Sequence, residues 1–204
     1  MPKAPAQQRQ TPRKKPKQTR SAETVSAIVE AAARILERDG LGGFTTNAVA
    51  ERAGVSIGSL YQYFPGKGAL IGALIVRETS RLIADWEASL AAPYGKTALS
   101  GLIVSAVSHQ LRRPALARLL DLEEGRLPFD EGARQVTCRL RAILLDVLGR
   151  PDLRQPADRT IAAQDVLAII KGMVDTAGER GELDQKALVG RVCRAVYGYI
   201  DNCE

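Results

Sequence analysis

The sequence predicts an all-α protein of about nine helices, and three observations predict it. Apolar residues recur at spacings of three and four along most of the chain, the period of a helix. Chain breakers, chiefly Pro65, Pro93, Pro114, Pro128, Pro151, Pro156 and Gly181, fall between those stripes. No stretch alternates apolar and polar residues as a half-buried strand would.

The first helix is predicted over about 21–39. Val25, Ile28, Val29, Ala32, Ile35 and Leu36 form one stripe, Ser21 is a candidate N-cap, and Gly40 suits a left-handed position after the last turn. A short second helix follows Phe44, with Thr45 or Thr46 as cap, Val49, Ala50 and Ala53 as its apolar positions, and Gly54 as its end. Ser56 caps a third short helix, 56–63, which Pro65 stops. A long amphipathic helix follows from about Lys67 to Leu90, carrying Leu70, Leu74, Ile75, Leu82, Ile83 and Trp86, and Pro93 with Gly95 breaks it. Helical stripes then cover about 97–112, 115–126, 130–148, 159–180 and 184–201.

Composition narrows the function classes. The chain has 204 residues and a formal net charge of +6, a length for one compact domain or two small ones. The charge is unevenly placed. Residues 1–20 hold seven cations (Lys3, Arg9, Arg13, Lys14, Lys15, Lys17 and Arg20) and no acid; residues 21–70 hold four cations and five acids; residues 71–204 hold eighteen of each. Residues 1–19 contain four prolines and no large apolar residue after Met1, so they read as a disordered basic arm. No run of 18 apolar residues spans a membrane, and the amino terminus lacks a secretory pattern, which makes the cytoplasm the expected compartment. Cys138, Cys193 and Cys203 match neither a disulfide framework nor a metal motif, and with one His no metal site and no cofactor are expected. A nucleophile elbow and a Gly-rich phosphate loop are both missing, so an enzyme is not expected.

Residues 45–64, TTNAVAERAGVSIGSLYQYF, read as two short helices around a Gly-containing turn, the layout of a helix-turn-helix whose second helix enters the major groove. Val49, Ala53, Val55, Leu60 and Phe64 face inward in this reading, while Ile57, Gly58, Tyr61 and Gln62 fall on another side. An aromatic hydroxyl, an amide and a glycine that permits close approach suit a nucleic-acid face.

The run Phe44-Thr45-Thr46, Ala50, Ala53-Gly54-Val55-Ser56, Gly58-Ser59-Leu60-Tyr61, Tyr63-Phe64 and Lys67 resembles the DNA-binding domain of the tetracycline-repressor (TetR) family, over about residues 21–75. The resemblance implies a DNA-binding set of Thr45, Thr46, Asn47, Ser56, Ile57, Gly58, Ser59, Tyr61, Gln62, Tyr63 and Lys67. Within it, Thr46 would hold phosphate at the start of the second helix. Asn47 stands where the family often has Arg, and would favour adenine. Ile57 and Gly58 would lie against base edges. Ser59, Tyr61 and Tyr63 would hold phosphates, and Lys67 would add a cation at a helix start. For Tyr61 and Tyr63, packing against the first helix is the competing reading. The arm also has two readings: a minor-groove probe beside the site, or a solvated tail that adds non-specific attraction.

The resemblance further implies an operator-binding homodimer formed through the last two helices, about 159–180 and 184–201, whose stripes include Val166, Ile170 and Val174 on one and Val192, Val196 and Ile200 on the other. Residues 21–70 would form the helix-turn-helix domain and 71–204 the effector-binding and dimerisation domain. Trp86, His109, Gln110, Phe129, Gln164 and Met173 are candidates to line a pocket for a small, largely hydrophobic effector. The acidic cluster Asp121, Glu123 and Glu124 reads as a solvated face with helical ion pairs. The expected function is a ligand-responsive transcriptional repressor; an activator of the same fold and an architectural DNA-coating protein acting through the arm are the alternatives.

Overall fold

The computed structural model describes residues 19–124 and 131–202. The basic arm up to residue 18, Phe129 and Cys203 lie outside the described residues. All regular structure among the described residues is helical: α1 (Thr19–Gly43), α2 (Thr46–Ala53), α3 (Ile57–Tyr63), α4 (Lys67–Ser89), α5 (Gly95–Arg112), α6 (Pro114–Glu124), α7 (Glu131–Leu148), α8 (Arg159–Glu179) and α9 (Gln185–Asp201). None of these helices is long and apolar enough to cross a membrane.

Two helix starts differ from the sequence reading, each for a stated reason. α1 begins at Thr19, so Ser21 sits inside the helix instead of capping it, and its hydroxyl is engaged by Tyr63. An apolar stripe locates a helix face but not its first turn. Gly40 kinks α1 with φ 61° and ψ −165°, a positive φ but not the left-handed helical cap expected there, and the helix resumes as far as Gly43 instead of ending at 39. α5 begins at Gly95 rather than 97. Its N-cap residue, Tyr94, offers no side-chain cap. The first-turn N–H groups of Gly95 and Lys96 instead donate to the two carboxylate oxygens of Asp152, at 2.7 and 3.0 Å. A cap supplied from 57 residues away leaves no local trace in the sequence. The other caps are local: Asp158 receives the N–H groups of Thr160 and Ile161 at the start of α8, and Asp184 that of Ala187 at the start of α9.

The described residues up to Arg77, with those from 122 to 124, form one compact unit. Its core is Ile28, Ala32, Ile35 and Leu36 of α1, then Phe44, Val49, Leu60, Phe64, Leu70 and Leu74, all at most 1% exposed. Glu30 on α1 holds both Arg34 and Arg77, at 2.9 and 3.0 Å, and so ties α4 to α1 within this unit.

The second unit comprises the described residues of 78–121 and 131–202. Its core interdigitates one stripe from each of α5, α7, α8 and α9, for example Leu102, Leu144, Val166 and Val192, with Trp86 of α4. Polar bonds between distant segments clasp this core. Arg150 donates to the carbonyls of Ala92 and Leu90, which the chain exposes where α4 has ended. The Tyr197 hydroxyl donates to Lys96 O and meets Ser100 Oγ, both at 2.8 Å. Gln110, 4% exposed, donates from Nε2 to Asp121 Oδ2 at 3.0 Å. Asp121 is therefore a partner of a buried amide and not a member of a solvated acidic face. Gly178 makes room for that amide, since a Cβ there would stand 2.5 Å from Gln110 Nε2.

The backbone N–H bonds from Lys96 and Gly95 hold the Asp152 carboxyl below the usual carboxylate range. A carboxylate whose pKa falls on folding stabilises the fold above its unfolded value, and that contribution disappears as pH drops through the folded value. The thermal midpoint should therefore fall as pH decreases from about 4. Asp152→Ala should lower the midpoint at neutral pH and flatten that acid decline; an unchanged acid profile in this variant would remove Asp152 as a cause.

Candidate nucleic-acid interface

The site is built from residue 44 onward. Phe44, 1% exposed, anchors the chain leaving α1. Thr45 has extended backbone angles, and its hydroxyl accepts from Ala48 N at 3.1 Å, so Thr45 is the cap of α2 and Thr46 its first residue. The helix ends at Gly54, whose φ of 68° and ψ of 29° are left-handed. Gly54 N–H donates to Glu51 O and Val55 N–H to Ala50 O, the Schellman pattern that closes a helix and turns the chain. Ser56 then caps α3: its Oγ accepts from Ser59 N at 3.0 Å and meets Ser59 Oγ at 2.8 Å. The two short helices are thus started and stopped by their own side chains and one glycine.

This turn decides what α2 and α3 expose. Val49, Ala50, Leu60 and Phe64 are buried, and Ala53 and Val55 are half-buried. On the outer side lie Asn47, Ile57, Gly58, Tyr61 and Gln62, with Ile57 38% and Tyr61 41% exposed. A Cβ built on Gly58 would meet only Ser56 Oγ, at 3.9 Å, so this spot is open to a close approach. Thr46 Oγ1 and Tyr61 OH share a hydrogen bond of 3.1 Å at the surface, which brings the start of α2 and the middle of α3 into one hydroxyl pair. Two such hydroxyls pointing at solvent form a ready acceptor-and-donor set for a phosphate oxygen. Lys67 is exposed as the first residue of α4.

Other residues of the expected set are placed differently. The hydroxyls of Thr45, Ser56 and Ser59 are engaged in capping their own helices. Tyr63 is half-buried and shares a 3.0 Å hydrogen bond with Ser21 Oγ on α1. Ser21 itself was missed by the sequence reading as a residue of this region. Its partner lies 42 residues away, and only a known helix-packing geometry would have revealed the pairing.

The comparisons with known proteins fall on this region. Residues 28–74 match the family described as bacterial regulatory proteins, tetR family. Residues 28–74 thus carry a tetR-family domain. That domain is the one shared by these bacterial regulatory proteins, and the candidate interface of residues 44–67 lies inside it. The HTH-type transcriptional repressor DrrR1 of Streptomyces coeruleorubidus is 38% identical over 76 residues, which cover 34% of this chain and only 28% of DrrR1. The nucleoid occlusion factor SlmA of Escherichia coli is 29% identical over 167 residues, 78% of this chain and 84% of SlmA. In structure, a TetR transcription regulator from Haloarcula marismortui superposes with a TM-score of 0.76 at 18% identity, covering 89% of this chain and 98% of that one. That likeness shows the tetR-family fold to extend well beyond the helix-turn-helix.

The residues expected to line an effector site belong to the second unit. Trp86 is buried and its indole Nε1 has no hydrogen-bond partner among the described residues; the same holds for Nδ1 of His109. Burial pushes the His109 imidazole below its ordinary range, against the opposing pull of Glu78. Gln110 is occupied by Asp121, Met173 packs half-buried against the core, and Gln164 is exposed on α8.

Gly54 carries the turn without any steric neighbour, since a Cβ there would meet nothing within 4 Å. The cost of Gly54→Ala is therefore conformational alone, about 1–2 kcal/mol for a left-handed residue with a Cβ. Denaturant unfolding should show that loss, and an unchanged midpoint would mean the turn relaxes into another geometry.

Proposed function

We propose that this tetR-family chain is a sequence-specific repressor that binds operator DNA as a homodimer and is released by a small, largely hydrophobic effector. The observation that carries the reading is the outer face of the helix-turn-helix. The surface Thr46–Tyr61 hydroxyl pair supports a phosphate contact, the exposed amides of Asn47 and Gln62 support base contacts, and exposed Ile57 with Gly58 supports a low apolar approach to base edges. Asn47 and Gln62 amides pair best with adenine, and Ile57 with a thymine methyl. A face of this kind reads A·T pairs at the centre of a half-site.

One short helix reads few base pairs, so a two-fold copy is needed for operator-level specificity. The half-buried Leu167, Ile169 and Met173 on α8, Val189, Cys193 and Tyr197 on α9, and the exposed Ile161 support an interface through α8 and α9. For the effector, the buried and unpartnered Trp86 Nε1 and His109 Nδ1 support an apolar molecule carrying a hydrogen-bonding group. α4 is one helix from Lys67 to Ser89 and contributes residues to both units. A ligand that prefers one placement of α4 would thus shift the spacing of two recognition helices, and its preference between the two states sets the size of the response.

The match to SlmA spans most of the chain and favours a second reading, in which the bound DNA serves a role other than promoter control. Selection of genomic fragments separates the two. A repressor should recover palindromic sites overlapping promoters; recovered sites scattered without regard to promoters would favour the second. On the selected site, Asn47→Ala should relax preference at one base pair of each half-site, while Lys67→Ala should weaken binding to every sequence about equally. A specificity profile for Asn47→Ala identical to that of the unaltered chain would refute its base-reading role.

A further inference from the structure

The first unit carries a second concave surface, a trough between α1 and α2 to which α3 contributes no residue. Ala31 and Ile35 of α1 are buried along its floor, and the half-buried Ala48 and Ala53 of α2 stand beside them. These small side chains leave an opening of about 680 Å³, against the roughly 30 Å³ that a water takes in the liquid. That is room for several side chains of a partner.

The charges on its rim decide what kind of partner fits. Glu30, Arg34, Arg38, Glu51 and Arg52 stand there. Arg34 is committed to Glu30 at 2.9 Å, and Arg38 to Asp39 through two bonds of 2.7 Å. Glu51 and Arg52, both exposed, are different: neither side chain makes a hydrogen bond or ion pair among the described residues. Within α2, neither has an opposite charge three or four positions away. Arg38 and, more weakly, Arg52 hold the Asp39 carboxyl below its ordinary range, but Arg38 already occupies both of its oxygens. An acidic partner would be repelled by Glu51, and a basic one by Arg52. A surface with one uncommitted charge of each sign, side by side, is complementary to itself. That is what a two-fold contact requires, since residue i meets j while j meets i.

We propose that the α1–α2 trough docks a second copy of the chain, each trough receiving the Glu51–Arg52 edge of the other's α2, with Glu51 facing Arg52 in both directions. The alanines let the helices approach closely, ridge into groove. This face is separate from α8 and α9, so it joins one homodimer of the proposed kind to the next. Glu51 lies one helical turn from Asn47 on α2, at the border of the candidate DNA face, so copies on neighbouring sites of one duplex meet there. A contact confined to one trough is at the weak end of protein interfaces. It gains from the high local concentration that two sites on one duplex create.

The experiment uses the full chain on duplexes carrying two copies of its selected site, their spacing varied one base pair at a time over a helical turn of about 10.5 base pairs. Occupation of one site should strengthen binding at the other by roughly fivefold or more, and only at spacings that bring the two troughs together. Glu51→Arg and Arg52→Glu each set like charges face to face and should abolish the coupling. The double variant exchanges the two charges and should restore it. Ala27→Trp keeps every charge but fills the trough, and should abolish the coupling as well. Binding to a single site, measured alongside, shows that each variant is folded. Without DNA, carbodiimide treatment of Arg52→Lys at high concentration should join Glu51 of one chain to the introduced amine of another, a link between two copies of one peptide. Uncoupled sites at every spacing, equal coupling at all spacings, coupling that survives either single charge reversal, or a double variant no better than the singles would overturn the proposal. A loss of single-site affinity in Arg52→Glu, with no coupling in the unaltered chain, would assign the trough to DNA instead. Failure to select any site would sink the DNA-binding reading alone, and the presence or absence of the cross-link then decides the trough contact.

Discussion

The left-handed turn at Gly54 is the constraint on which the nucleic-acid face depends. Its two backbone bonds close α2 and reverse the chain, and Ser56 opens α3 two residues later. With so few residues between the helices, their mutual angle has little freedom, and that angle assigns every side chain to core or surface. Leu60 and Phe64 are directed inward to Val49 and the α1 stripe, which leaves Ile57, Tyr61 and Gln62 outward. The Thr46–Tyr61 hydrogen bond follows from the same geometry, since the turn brings the first residue of α2 beside the middle of α3. Neither helix is long enough to be stable alone, so packing and capping together hold them.

The second unit is organised differently. Four apolar stripes supply its burial, but chain ends and loops leave polar backbone groups that must find partners. Asp152 and Arg150 in one loop satisfy the start of α5 and the carbonyls after α4, and Tyr197 closes onto Lys96 O. Each of these bonds joins segments more than fifty residues apart, so they appear only once the helices have packed. Among the described residues of this unit, Trp86 Nε1, His109 Nδ1 and Arg141 Nε depart from this pattern of satisfied groups.

The family match covers residues 28–74, whereas similarity to DrrR1 covers little of that protein and similarity to SlmA covers most of it at lower identity. The two relatives carry different roles, one a transcriptional repressor and the other a nucleoid occlusion factor. A recognition module can keep its form while the remaining helices are turned to another purpose, since function lives in particular sites and not in the fold.

The sequence by itself determined the all-α class, the order of the helices and most of their limits, because periodicity, caps and breakers are local properties. It also determined the helix-turn-helix, since the Gly54 turn and the Ser56 cap are written in adjacent residues. The uneven charge was legible for the same reason. Only the tertiary structure decided the rest. It moved Ser21 from a cap to the partner of Tyr63, began α5 at Gly95 through Asp152, and turned Asp121 from a surface acid into the partner of a buried amide. In each case a polar group took a partner far away in the chain, and nothing local encodes such a choice. Helix positions follow from short-range rules, but the hydrogen bonds between helices depend on which faces meet.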